Sequence, residues 1–298
     1  MHSHKHLRSD GRERRIIIAI VLNFVIAAAE IAGGFFAGSL SLVSDALHNF
    51  SDAVSLLISL AAVKLSKRKH TETSTFGYKR TEILAALFNA SILIIVSFFL
   101  FKAVVERLLS PAVINVRVML VVALLGFTAN AIAVLLLRKD ACRDMNIKSA
   151  YLHLALDSLS SAAVIAGGVC IFFFKAYWID PALTVLIGLY VLKEGCSLVC
   201  DSLHILMQRT PKGIDPHLIQ KEVQKIEGVR DIHHLHVWEI TDGEIFLECH
   251  INLSSDLKIS ESCVIKTKLE ELLSDKFNID HCTFQFEYNS CRGVSLIK

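Results

Sequence analysis

Two short stretches, Leu47-His48-Asn49-Phe50-Ser51-Asp52 and His153-Leu154-Ala155-Leu156-Asp157, each place a His four residues before an Asp inside a long apolar run. In a helix, residues i and i+4 stack on one face, so each stretch is half of a metal site. Brought together, the halves offer two imidazoles and two carboxylates. Four N/O donors suit a tetrahedral divalent ion such as Zn²⁺, and two Asp charges balance its +2. With the ion gone, the same groups can take protons instead. A buried site that exchanges a cation for protons is the core of an antiporter. One His-x-x-x-Asp in a soluble helix is commonly a local hydrogen bond. Two of them in separate apolar spans differ, because an ionisable residue at mid-span costs about 2.5–3.5 kcal/mol even on insertion scales.

The elements that must position these residues follow from the hydropathy. Of 298 residues, 53% are hydrophobic, the mean hydropathy is +0.50, and the apolar excess lies in the first two thirds. The expectation is a membrane domain followed by a soluble one. Six spans are expected: Ile16–Ala37, Leu40–Leu65, Ile83–Val105, Val118–Leu137, Ala150–Phe174, and a sixth from Asp180-Pro181 to Leu206. In the second, Ser41, Asp45, His48, Asp52, Ser55 and Ser59 form one polar stripe. In the fifth, Ser149, His153, Asp157 and Ser160 do the same. Asn23 and Glu30 lie on one face of the first span, and Asn130 is polar at mid-span in the fourth. Gly167-Gly168 allows close helix contact.

Basic residues crowd the N-terminal tail, the second-to-third connection (Lys64, Lys67, Arg68, Lys69, Lys79, Arg80) and the fourth-to-fifth (Arg138, Lys139, Arg143, Lys148). The intervening connections are poor in them, which puts both termini in the cytosol. Met1–Arg15 is polar and basic, with no cleavable signal pattern. Its alternating His2, His4 and His6 read equally as a weak metal-collecting tail or a disordered one. The net charge of +2 says little about nucleic acid, but no basic stripe with interleaved aromatics is present and no nucleic-acid partner is expected. The eight Cys are not a disulfide framework, since Cys170, Cys196 and Cys200 fall in apolar spans.

Thr210-Pro211-Lys212-Gly213 ends the membrane pattern. A small α+β domain is expected beyond it, in the ferredoxin-like order αββαβ. Its parts are a helix over Pro216–Glu227, strands Val229–Ile240 and Ile245–Leu253 around a Thr241-Asp242-Gly243-Glu244 hairpin, a helix Ser260–Phe277 capped by Ser260, and a strand Thr283–Tyr288. The domains are therefore a tail (1–15), a six-helix membrane domain (16–208) and a cytosolic domain (209–298).

The chain resembles the cation diffusion facilitator family of zinc transporters over nearly its whole length. The likeness rests on Ser44-Asp45-Ala46-Leu47-His48-Asn49-Phe50-Ser51-Asp52, Thr75-Phe76-Gly77-Tyr78-Lys79-Arg80-Thr81-Glu82, His153/Asp157, Asp180-Pro181, His233-His234-Leu235-His236-Val237-Trp238 and Thr283-Phe284-Gln285-Phe286-Glu287. It implies a homodimer of six-span subunits in the lipid bilayer. Metal is carried between the second and fifth helices, proton influx drives efflux, and paired cytosolic domains bind further metal. It implies transport ligands at His48, Asp52, His153 and Asp157, the zinc-preferring version, with Cd²⁺, Co²⁺ and Ni²⁺ not excluded by donor type. It implies cytosolic ligands at His233, His250, Cys263 and Glu287. Gln285 stands where some members have His, and His281 lies near enough in sequence to compensate. Strand alternation separates His234 and His236 from His233. In some members the second-to-third connection binds metal; there this chain has Lys79, with His70 nearby. The short fourth-to-fifth connection has no His, which points to a bacterial inner membrane.

Two rival classes fit the motifs less well. An intramembrane metalloenzyme lacks a His-Glu-x-x-His pair, and four protein ligands leave no open position for a substrate. A metal-sensing receptor lacks an attached output domain. Transport without enzymatic chemistry is the reading that uses every motif.

Overall fold

The computed structural model describes residues 24–66, 68, 71–110, 112–137, 145–289 and 295–297. Six helices come first: α1 (Phe24–Ala37), α2 (Leu40–Ser66), α3 (Thr81–Leu109), α4 (Val116–Leu137), α5 (Met145–Phe174) and α6 (Ile179–Leu206). The N-terminal tail with His2, His4 and His6, and His70, lie outside the described residues. By length and composition, Thr81–Leu109, Leu154–Phe174 and Ile179–Leu206 can each cross a membrane. The polar stripe of α2 belongs inside a bundle. Large side chains such as Phe88, Phe98, Leu125, Phe173 and Leu186 point outward, as expected where the solvent is lipid.

The chain divides into two compact units. The first comprises residues 1–61 and 85–199. Its core includes Leu42, Met119, Val164 and Ile171, and α4 packs along α5. The α1–α2 turn is tight, and Ser39 caps α2 by accepting a hydrogen bond from the Leu42 N–H at 3.2 Å. Asp180, at the start of α6, adds a second cap from a distant part of the sequence. Its carboxylate accepts from the Leu40 N–H (2.8 Å), the Ser41 N–H (3.1 Å) and the Ser39 hydroxyl (2.6 Å). A buried carboxylate at a helix N-terminus satisfies orphan donors and opposes the helix dipole, which explains the Asp180-Pro181 motif.

The second unit comprises residues 62–84 and 200–298. After α6 come α7 (Pro216–Val223), β1 (Val229–Thr241), β2 (Glu244–Leu253), α8 (Ile259–Phe277) and β3 (His281–Tyr288). The sheet order is β1-β2-β3. β1 and β2 are antiparallel across the Asp242-Gly243 turn, and β2 and β3 run parallel, with α8 as the crossover. Ile219 and Val223 of α7 and Ile265, Leu269 and Leu273 of α8 are buried against Leu247, Cys249 and Ile251 of the sheet. Each large side chain so buried contributes about 1.5–3 kcal/mol.

Several element ends differ from expectation: α3 and α5 run longer than the apolar spans, β3 begins at His281 rather than Thr283, and two helix ends in the cytosolic domain have identifiable causes. α7 stops at Val223 rather than Glu227, because the chain must turn back into β1. Gly228 makes that turn at φ +93°, where a Cβ would stand 2.8 Å from Ile265. α8 starts one residue earlier than expected, with Lys258 and not Ser260 at the cap position. The cap is the Glu261 carboxylate, which accepts from the Lys258 N–H at 2.9 Å.

Candidate metal sites

In the membrane domain, α2 and α5 bring three of the four expected donors together. His48 and Asp52 stack one turn apart on α2, with His48 Nε2 at 3.6 Å from Asp52 Oδ2 and 3.5 Å from Asp157 Oδ1 of α5. One donor atom from each of the three lies within 4.8 Å of the others. His48 and Asp157 are buried. The Tyr190 ring stands nearly perpendicular to the His48 imidazole, with centroids 6.0 Å apart. His153 is carried by α5 one turn before Asp157, so its backbone is on the right helix; its side chain lies outside the described residues. An imidazole and two carboxylates converging in an apolar bundle match a borderline-soft divalent ion.

The neighbours of this cluster are polar and specific. Asp45, three residues before His48, accepts hydrogen bonds from the hydroxyls of Ser160 and Ser161 (2.8 Å for the latter) and so ties α2 to α5. Asn49 donates to the buried Glu30 carboxylate of α1 at 3.1 Å. That carboxylate occupies space which only Gly126 of α4 leaves open, since a Cβ there would lie 1.7 Å from Glu30 Oε1.

A second cluster sits on the sheet. His233 and His250 are cross-strand partners, and Glu287 comes from β3. Glu287 reaches His250 Nδ1 at 2.8 Å and His233 Nε2 at 3.4 Å, and the three donors again lie within 4.8 Å of one another. His233 Nε2 and Glu287 Oε2 are buried and make no hydrogen bond among the described residues, a condition that a bound cation relieves. Behind His233, Asp231 Oδ1 holds Nδ1 at 3.1 Å, and Asn252 in turn donates to Asp231 at 3.2 Å. A carboxylate behind a His fixes the tautomer in which Nε2 is the ligand. Gln285 donates to Glu287 at 2.8 Å.

Residues 16–207 match the family model for the cation efflux transmembrane domain. The chain belongs to the cation diffusion facilitator family. Residues 211–289 match the cation efflux protein cytoplasmic domain. The chain is 39% identical to the metal cation efflux system protein CzcD of Cupriavidus metallidurans over 97% of its length and 90% of the relative's. It is 36% identical to the cadmium, cobalt and zinc/H(+)-K(+) antiporter of Bacillus subtilis, over 95% and 91%. Among solved structures, the metal-bound C-terminal domain of the CzcD transporter from C. metallidurans is 31% identical, over 25% of this chain and 99% of its own, with a TM-score of 0.23. The chain is thus a multi-pass membrane protein of a metal cation efflux family.

In this family member the cytosolic donors expected from sequence do not all converge. His281 opens β3 and packs on Phe246 at 5.1 Å; six residues of strand, about 20 Å, separate it from Glu287. Cys263 lies exposed on α8. Burial pushes the Cys249 thiol up and that of Cys282 up to about 11, and neither belongs to the His233, His250 and Glu287 cluster. Alternation also fails at His234. A bulge between His233 and His236 puts His234 at φ +54°, and its ring stacks on His250 at 4.8 Å. Lys79, at the position where some members place a ligand, pairs instead with Glu244. Sequence reasoning placed Asp45 in the polar stripe and Asp180 at a helix start without their roles. Each has a signal: Asp45 shares the His48 face, and Asp180 precedes a Pro.

Proposed function

We propose that this protein exports Zn²⁺ from the cytosol in exchange for protons, through a tetrahedral site of His48, Asp52, His153 and Asp157 between α2 and α5. The observation that carries the reading is the convergence of His48, Asp52 and Asp157 from two helices, with His48 and Asp157 buried in the bundle. Imidazole donors favour Zn²⁺ over Mg²⁺, Ca²⁺ or Mn²⁺. The B. subtilis relative, named for cadmium, cobalt and zinc, is also named as a proton-coupled antiporter; Cd²⁺ and Co²⁺ are accordingly secondary substrates. Zn²⁺ needs neutral His and ionised Asp, so its binding expels whatever protons the site holds, and an inward proton gradient then drives zinc outward.

The protein works as a homodimer in a bacterial inner membrane, with both termini cytosolic. Residues 1–15 form the tail, 16–208 the transport domain and 209–298 the paired cytosolic domain. His233, His250 and Glu287 hold a further Zn²⁺ there, and Cys263 and His281 are weaker candidates. Proteoliposomes carrying a pH-sensitive dye test the exchange. Zinc movement should drive opposite proton movement, and collapsing the gradient should stop uphill flux. Zinc flux that is indifferent to protons would leave a passive facilitator.

A further inference from the structure

The polar stripe of α2 is covered unevenly. Toward Leu40, Ser41, Ser44 and Asp45 are at most 1% exposed. At the level of the proposed transport site, the His48 side chain is 3% exposed and that of Asp52, one turn further on, 21%. Beyond it Ser55 is partly buried and accepts a hydrogen bond from Asn89 of α3. The stripe is therefore shut at its Leu40 end and more open at the other.

The closure has a definite chemistry. Asp45 precedes His48 by three residues on α2, and Ser160 and Ser161 follow Asp157 by three and four on α5. At 1.5 Å per residue, both sets lie about 4.5–6 Å from the ligands. They meet on the same side, so α2 and α5 run antiparallel across the seam. Both serine hydroxyls donate to the Asp45 carboxylate. Hydrogen bonds in a dry interior are strong, and an unpaired partner there is costly. Ser160 also has a second acceptor in reach, the Asp157 carbonyl at 2.9 Å. When the seam parts, that hydroxyl turns to its own helix and is not orphaned, while Asp45 is hydrated by the opening mouth. Ser160 thus has a partner in both arrangements, as a switching element requires.

We propose that Asp45, Ser160 and Ser161 form a polar gate on the Gly38 side of the transport site. Engaged, as here, it closes that exit while the Asp52 side stays open; the transported ion leaves only when it breaks. The inference rests on the His48/Asp52/Asp157 reading above, and Asp45 is a positioning residue in it, not a ligand.

The test uses the full-length protein in membrane vesicles of known orientation. Val164, three residues beyond Ser161 and fully buried, is replaced (Val164→Cys) and probed with a membrane-impermeant maleimide. Labelling is read at that peptide by mass spectrometry, apart from the native cysteines. Combining Val164→Cys with Ser160→Ala and Ser161→Ala should raise its labelling from the Gly38 side about tenfold or more, the scale of leaving one buried acceptor unsatisfied. Zn²⁺ binding to the purified protein should be retained. Asp45→Asn, which keeps shape but weakens the acceptor, should give an intermediate rise and serves if the double serine variant does not fold. Unchanged labelling in the variants overturns the gate. So does a rise that is equal from both sides, which reports a loosened bundle, or loss of zinc binding in the serine variant, which makes the clamp merely structural. Asp157→Ala separates the two levels: full zinc flux in that variant removes the transport site itself, whatever Val164→Cys reports.

Discussion

At the scale of single residues, His48 Nε2 stands about equally far from a carboxylate on its own helix and one on its neighbour. Removing either carboxylate leaves the ion's charge uncompensated. Asp52→Ala and Asp157→Ala are each expected to cut zinc flux at least about 100-fold, since even an outer partner of a ligand is worth about 10–100-fold. Flux near wild type in either variant refutes the site. On the sheet, Asp231 acts through His233. Asp231→Ala is expected to weaken zinc binding at the cytosolic cluster about 10–100-fold while His250 and Glu287 stay in place. Titration calorimetry on this variant and on Glu287→Ala separates a positioning role from a ligand role: the first should weaken binding, the second abolish it.

At the scale of elements, the two helices of the cytosolic domain are tethered as well as packed. Glu222 of α7 accepts hydrogen bonds from Lys225 just beyond it and from Lys276 of α8, and these, Lys225 first, hold its carboxyl down at about 2 against an ordinary 4.5. A carboxyl lowered on folding adds stability above its unfolded value and loses it as pH falls. Between pH 4.5 and 2, hydrogen-exchange protection over 216–223, measured against the intrinsic rate at each pH, should therefore fall, and Glu222→Gln should remove that dependence and lower protection at pH 7. The buried contribution is larger: Leu269→Ala should cost about 2–5 kcal/mol, read as a lowered midpoint for unfolding of the sheet. The helix and strand order was legible because it is written in periodicity, and the ligand pairs of α2 and α5 because i,i+4 spacing fixes them on one face. What escaped depends on register between elements. The His234 bulge and the pairing of Asp45 with Ser160 and Ser161 are each set by how one element meets another, and no single stretch of sequence records that. The α8 cap escaped differently, because a Glu reaching back competes with a Ser that looks like a better cap.

At the scale of the whole molecule, the domain matched over residues 211–289 is expected to pair with a second copy. A fragment from Thr210 onward should sediment as a dimer with Zn²⁺, and His233→Ala should lower its zinc affinity. A monomer with and without the ion, showing no heat of binding, would remove the assignment of His233, His250, Cys263, His281 and Glu287 together. The parallel pairing of β2 and β3 bears also on how the protein is made. His233 and His250 leave the ribosome 37 or more residues before Glu287, roughly 2–7 s at ordinary synthesis rates. Through that interval the nascent chain offers the two imidazoles, with Asp231 behind one of them, but not Glu287. The third donor arrives only after α8 has been made and can cross over the sheet. A growing polypeptide is thereby poor at capturing zinc until its last strand is in place, and the cluster is completed late in the domain's own biogenesis.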